Sequence, residues 1–265
     1  MTLEKEEFNL STKASGSIDV LVPRCLIGEG ANILGVTVDF EGLCSLQVEW
    51  RHGKICSIKG LKDASKVPNE ILLPRFSEPH AHLDKAFSWS RAPNYKGSYQ
   101  EALVANLNDY KSRSQSQLLF SVEKSLNLAL VNGIRAIRSH IDSFGENVMR
   151  DWDLLEDIRK KWRDKIFLQF VALVPLEFWQ TYEGELLAQR VALNGDLLGG
   201  VIAPPFNKKK TIKSLLNLVQ LANRLNCNVD LHIDEAQSFP AAGLKLLLEV
   251  LDHIKNEISI TCSHL

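Results

Sequence analysis

The sequence predicts an α/β fold: a parallel sheet covered by helices, preceded by a small β-rich part. Three observations carry this. After Leu73 strand-like and helix-like stretches alternate, and strands separated by helices of this length pair in parallel. Several of those strands are apolar on both faces, as parallel strands under helices are. Before Leu73 the pattern is short strands, some alternating apolar and polar with period two.

Residues 1–15 read as a loose polar tail. Ile18-Asp19-Val20-Leu21-Val22 and Val36-Thr37-Val38 read as strands. Leu46-Gln47-Val48-Glu49-Trp50 alternates cleanly, Arg51-His52-Gly53-Lys54 is a turn, and Ile55-Cys56-Ser57-Ile58 returns, which makes a hairpin. Residues 1–70 therefore form the β-rich part, and 71–265 the α/β part. In the latter the expected strands are Ile71–Phe76, Ile134–Ile141, Ile166–Val174, Leu198–Ala203, Val229–Ile233 and Ser259–His264. Expected helices cover 116–131, 149–162, 183–193, 212–225 and 240–254; apolar residues at 215, 218, 219 and 222 mark one helix face. At about 31 residues per strand–helix unit this segment holds about six units of a (β/α)8 barrel. A doubly wound open sheet satisfies the same periodicity.

The 265 residues carry 31 Lys+Arg against 32 Asp+Glu, a net charge of -1, so no basic footprint for nucleic acid or an anionic membrane is present. The stretch MTLEKEEFNL lacks the basic-then-apolar pattern of a signal peptide, and no apolar run approaches membrane-spanning length. The five cysteines form no C-x-x-C pair and read as reduced thiols of a cytoplasmic protein. Lys208-Lys209-Lys210 has no glycine-rich loop beside it and reads as a solvated loop.

Chemistry concentrates at the strand ends. In Glu78-Pro79-His80-Ala81-His82, period two turns both imidazoles to one face, where they can hold Zn²⁺ or Fe²⁺. Alone, the pair reads more readily as two surface histidines near a turn. Asp230-Leu231-His232-Ile233-Asp234-Glu235 ends a second strand with a histidine, and a carboxylate follows three residues later. Alone, it reads equally as an acidic helix N-terminus. Together the two clusters point to a metal site with a carboxylate able to move protons. His140 and His264 occupy comparable strand ends. His52 and His253 read as surface residues.

The run Leu73–Phe87, containing Glu78-Pro79-His80-Ala81-His82-Leu83-Asp84-Lys85, resembles the opening strand motif of the amidohydrolase superfamily. More narrowly it is similar to the cytosine deaminase branch, which includes N-isopropylammelide amidohydrolase. Asp230–Glu235 resembles that branch's D-L-H-x-D-E motif, Ser263-His264 its S-H motif, and Arg138–Asp142 its R-T-H-V-D segment. The hairpin Gln47–Ile58 resembles the β-sandwich half that precedes the barrel. The resemblance implies a TIM-type barrel, incomplete at about six of eight units, and one divalent metal ion, Zn or Fe, on His80, His82 and His232. It implies that Glu235 carries a proton from the attacking water to a ring nitrogen, and that His264 orients that water. Asp84 is expected to hydrogen-bond a metal ligand, and with Lys85, His140 and Leu176 to lie around the pocket.

The sequence departs from the branch twice. Its members place a glutamine after the proline that ends the third strand, where it reads the pyrimidine; here Leu176 follows Pro175, and leucine offers no donor–acceptor pair. They also take a fourth ligand, an aspartate, from the eighth strand, whereas this chain ends after its sixth. The expected function is metal-dependent hydrolysis of non-peptide C–N bonds in cyclic amidines, with a small heterocycle and water as partners, no nucleic acid, no membrane, and self-association left open. The alternatives are a catalytically inactive, truncated remnant of such an enzyme and an amidohydrolase of N-alkyl triazines. If one metal is shared, the ring nitrogens of His80, His82 and His232 approach within roughly 4–5 Å of one another.

Overall fold

A computed structural model describes residues 15–28, 36, 38–61, 67–235 and 239–264. The expected polar tail lies outside the described residues except for Ser15, as do Thr37 of the expected strand Val36–Val38 and Leu265. Two compact units divide between Pro74 and Arg75.

In the first unit, β1 (Ser15–Pro23), β2 (Leu43–Arg51) and β3 (Lys54–Gly60) form one antiparallel sheet in that order. The expected hairpin is β2–β3, with Arg51 opposite Lys54. Its two connecting residues, His52 and Gly53, have φ of 50° and 72°, the left-handed pair that a two-residue hairpin turn needs. Val20, Val22, Leu46 and Val48 alternate inward with Cys44 to make a small core.

The second unit is built from β4 (Phe76–Ala81), α1 (Tyr99–Ser112), α2 (Gln115–Val131), β5 (Ile134–Asp142), α3 (Val148–Trp162), β6 (Phe167–Leu173), α4 (Tyr182–Leu193), β7 (Leu197–Ile202), α5 (Lys208–Leu225), β8 (Val229–Ile233), α6 (Ala242–Leu251) and β9 (Ile260–Ser263). All neighbouring strands are parallel, in the order β4-β5-β6-β7-β8-β9. A doubly wound sheet reverses its strand order at a switch point. This one never reverses, and right-handed crossovers in an unreversed order put every helix on one face. Ile137, Ile141, Leu231 and Ile233 face those helices and pack with Leu118, Trp152, Leu155, Leu187 and Leu215.

The opposite face is concave. Five inter-strand gaps in a flat sheet would separate the edge strands by about 24 Å. Yet His80 Nδ1 on β4 lies 3.1 Å from Ser263 Oγ on β9. The sheet is therefore curled until side chains from its two edges meet.

Several expectations need correction. The first strand runs from Phe76, not over Ile71–Phe76. Ile71 bridges Leu21 in the first unit, Leu72 N–H donates to Leu21 O at 2.8 Å, and Pro74 has no N–H to carry a ladder onward. Lys208–Lys210 is not a loop but the first turn of α5, capped by Asn207, whose side chain accepts from Lys210 N–H at 3.1 Å. The last helix stops at Leu251, so His253 lies beyond it. α1 has no counterpart in the sequence reading.

Asp196, just before β7, ties neighbouring elements together. It accepts from Phe170 N–H at 2.7 Å and from Arg159 Nη2 at 2.5 Å. Burial pushes its carboxyl up to about 6, against the pull of Arg159. A carboxyl that binds its proton more tightly in the folded state loses stability as pH rises from its unfolded value toward its folded one. Relative to Asp196→Asn, the wild type should lose unfolding free energy between about pH 4 and pH 6 and run parallel to it above that range. Urea titrations across that interval check this.

Candidate active site

Parallel register places the chemistry on the concave face. His232 on β8 pairs with Ser263 on β9, and Asp230 with Thr261 one pleat earlier. On β5, Arg138, His140 and Asp142 alternate with the helix-facing Ile137 and Ile141. His80 is in β4, and His82 follows the end of that strand by one residue.

Five imidazoles meet there. The His80 ring lies 5.2 Å from His82, 4.1 Å from His140, 4.7 Å from His232 and 4.8 Å from His264, centroid to centroid. His232 is 4.8 Å from His264. His82 Nε2 and His232 Nε2 are 3.2 Å apart. One nitrogen each of His80, His140 and His232 falls within a 4.8 Å span, so His140, which sequence reading placed only near the pocket, stands as close to the centre as His82. Two nitrogens bound at about 2.1 Å to a tetrahedral ion stand about 3.4 Å apart, close to the His82–His232 spacing.

The chemistry of the set also fits a metal. His80 Nε2, His82 Nδ1, His232 Nδ1 and His140 Nδ1 are buried without hydrogen-bond partners, an arrangement that costs free energy unless another group uses those lone pairs. Burial, above all, lowers the pKa of His80 to about 4, of His82 to about 2 and of His232 to about 3. Neighbouring imidazoles add to the shift, as does Lys85 at His82 and His232. All three are neutral at pH 7, the form that binds metal. This histidine cluster can hold a metal ion.

Glu235 and Asp234 are adjacent but part company. Asp234 turns away, with φ of 58°, and its oxygens accept from Gly243 N–H at 2.7 Å and Leu244 N–H at 3.0 Å, capping α6. Glu235 is left to line a cavity of about 880 Å³ together with His82 and His232. Its charge, after burial, raises the pKa of Tyr99 across that cavity. Leu176, buried, opens a 3-10 turn at Leu176–Gln180 and forms part of the apolar wall; a Cβ on Gly200 would stand 2.5 Å from its Cδ2, so Gly200 makes room for it. His264 is exposed, with φ of 68°.

Part of the cavity lining is polar. Lys85 Nζ donates to Asp142 Oδ1 at 2.8 Å, and Asn106 Nδ2 donates to Asp142 Oδ2 at 3.0 Å. Asp84 bonds no histidine. Its Oδ2 accepts from Arg113 Nη2 at 3.3 Å and from Asp142 N–H at 3.2 Å. Burial, then the Asp142 charge, raises its pKa, and Lys85 and Arg113 pull it back. Sequence reading missed Asn106 and Tyr99, which are on α1, and Arg113, which follows it. The available signal was Ser98-x-x-Glu101: Ser98 Oγ accepts from Glu101 N–H at 3.2 Å as the helix cap.

No family model matches the chain. A pterin deaminase of Rhizobium rhizogenes is 31% identical to it over an alignment of 221 residues that covers 78% of this chain and 48% of that protein. An N-isopropylammelide isopropyl amidohydrolase of a Pseudomonas species is 23% identical over 258 residues, 94% of this chain and 62% of that protein. The chain thus spans about half to three-fifths of the length of these relatives. In three dimensions it is similar to 5-methylcytosine deaminase from Klebsiella pneumoniae, with a TM-score of 0.66 and 23% identity over 83% of this chain and 56% of the other, a likeness of fold.

Arg113 and Asp84 are both almost wholly enclosed, at 3% and 0% side-chain exposure. Arg113→Met should therefore lower the unfolding free energy by about 3–5 kcal/mol by leaving a buried carboxylate uncompensated. Adding Asp84→Asn should restore a good part of it. Denaturant unfolding of the single and double variants checks this.

Proposed function

From the premise that the chain belongs to the amidohydrolase superfamily, we propose that it carries the site of a metal-dependent hydrolase that releases ammonia or an amine from a cyclic amidine. We read the six parallel strands as six units of an eightfold barrel, and the three-stranded sheet as part of a β-sandwich. The observation that carries the functional reading is the cluster of neutral imidazoles, with His82 and His232 nitrogens 3.2 Å apart, opening on the cavity that Glu235 lines.

His80, His82 and His232 are the residues assigned to hold one Zn²⁺ or Fe²⁺, with His140 buried beneath them. A divalent ion held there supplies the Lewis acidity that makes water a nucleophile at neutral pH. His264 orients the attacking water by hydrogen bonding. Glu235 takes a proton from that water and delivers it to a ring nitrogen. The ring carbon gains a hydroxyl, its bond to the exocyclic nitrogen breaks, and the amine leaves with the proton of that hydroxyl, whose oxygen becomes the ring carbonyl. Lys85, whose ammonium has three donors and spends one on Asp142, keeps two for a ring oxygen or nitrogen.

The cavity lies toward the large end of the roughly 300–1,000 Å³ range of ligand pockets. Its apolar surface at Leu176 and its polar groups at Lys85 and Asp142 suit a flat, fused two-ring heterocycle, in keeping with the pterin deaminase among its relatives. A single pyrimidine would fill little of it.

The test is release of ammonia from pterin and from cytosine, and of isopropylamine from N-isopropylammelide, by the zinc-loaded protein. Turnover of pterin is expected. Glu235→Gln should retain metal and lose at least about 10²-fold in rate, and His232→Ala should lose the metal. Full activity of Glu235→Gln, or no release from any of the three substrates by metal-replete protein, would contradict the assignment.

Leu176 sets a second expectation. Without a side-chain amide to pair with the pyrimidine, cytosine should be turned over with a kcat/KM about 10⁴-fold below that of the best substrate. Efficient deamination of cytosine by the wild type would overturn this reading of Leu176.

A further inference from the structure

Arg138, Asp230 and Ser263 lie under the imidazoles and have no part in the steps above. We infer that they form a positioning relay that holds His80 in its Nδ1–H tautomer, with the Nε2 lone pair presented at the centre of the cluster. That this lone pair serves a metal rests on the reading in the preceding section; the tautomer itself does not.

The direction of every proton in the relay follows from the donors. Arg138 is always cationic. Its Nη1 donates to Asp230 Oδ2 at 2.7 Å and also contacts Thr261 Oγ1 at 3.3 Å, while its Nε donates to Gln169 Oε1 at 3.0 Å. Asp230, 1% exposed, is held ionised by that contact and can only accept. Ser263 Oγ, 3.2 Å from Asp230 Oδ1, must therefore donate to it. A hydroxyl has one proton. With it spent on Asp230, Ser263 Oγ can only accept across the 3.1 Å to His80 Nδ1. A neutral imidazole has one N–H, so His80 carries it on Nδ1 and its Nε2 is an acceptor. Nε2 is the nitrogen that is buried without a partner.

The same contacts fix the ring in space. His140 lies against the His80 ring at 4.1 Å, and its Nε2 stands 3.3 Å from Asp230 Oδ1. Among the three histidines assigned to the metal, only His80 is oriented in this way, because the Nδ1 atoms of His82 and His232 have no partner. Partners of this kind are worth roughly 10–100-fold in metal affinity. A purely structural role for the contacts, pinning β5, β8 and β9 together, would change stability and leave the tautomer alone.

The experiment compares wild type, Ser263→Ala and Ser263→Thr, which keeps the hydroxyl. Nitrogen-15 NMR of the metal-free proteins reads the His80 tautomer, and competition titration reads Zn²⁺ affinity. Wild type and Ser263→Thr should show the Nδ1–H form. Ser263→Ala should shift toward the Nε2–H form and bind Zn²⁺ about 10–100-fold more weakly. An unchanged tautomer in Ser263→Ala overturns the relay, whatever happens to stability. If the wild type takes up no Zn²⁺, the metal reading falls, and the tautomer comparison still decides whether the relay orients His80.

Discussion

The Arg138–Asp230 ion pair is the contact on which the concave face depends. It joins β5 to β8 across the inside of a curled sheet, with 27% and 1% of the two side chains exposed. A face that closes this tightly has little water to solvate charge, so a carboxylate placed there needs a cation and donors around it. Burial by itself would raise the Asp230 pKa. The approach of Arg138 and His140 outweighs it, and the group titrates below its ordinary value. From that anchor the polar groups step upward by pleats: Asp230 and Thr261, then His232 and Ser263, with Glu235 beyond the end of β8 at the cavity.

The curl also explains why the histidines are poised as they are. Edge strands far apart in a flat sheet bring His80 and Ser263 into contact here. The enclosure that does this strips water from the imidazoles and keeps them neutral. The cavity beside them is mixed in character. Leu176, Val201 and Phe206 give it apolar surface, and Lys85, Asn106 and Asp142 give it polar groups. Such a slot can bind the face of a flat ring and read its edge.

Much of this was legible in the sequence because strand periodicity is a local rule. Period two puts His80 and His82 on one face and His232 on the same face as Asp230, and strand ends are where parallel α/β folds gather their sites. Strand–helix alternation located five of the six parallel strands to within a residue or so. It misplaced β4 because the apolar run Ile71-Leu72-Leu73 has strand character that is used elsewhere, against Leu21. Contacts between distant elements left no local trace. Nothing near His140 says that it will stack on His80, and nothing near Ser263 says that it will meet β4. α1 was missed because its burial is slight, with only Asp109 fully enclosed, so no apolar stripe marks it. Its contributions to the cavity, Tyr99 and Asn106, were missed with it.

The central claim, that the imidazoles of β4 and β8 share one metal ion, is tested most directly by X-ray absorption at the zinc edge of the zinc-loaded protein. The account predicts a first shell of nitrogen and oxygen atoms at about 2.0–2.1 Å with the outer-shell scattering of about three imidazoles. A shell containing sulfur at about 2.3 Å, or one without imidazole scattering, would contradict it.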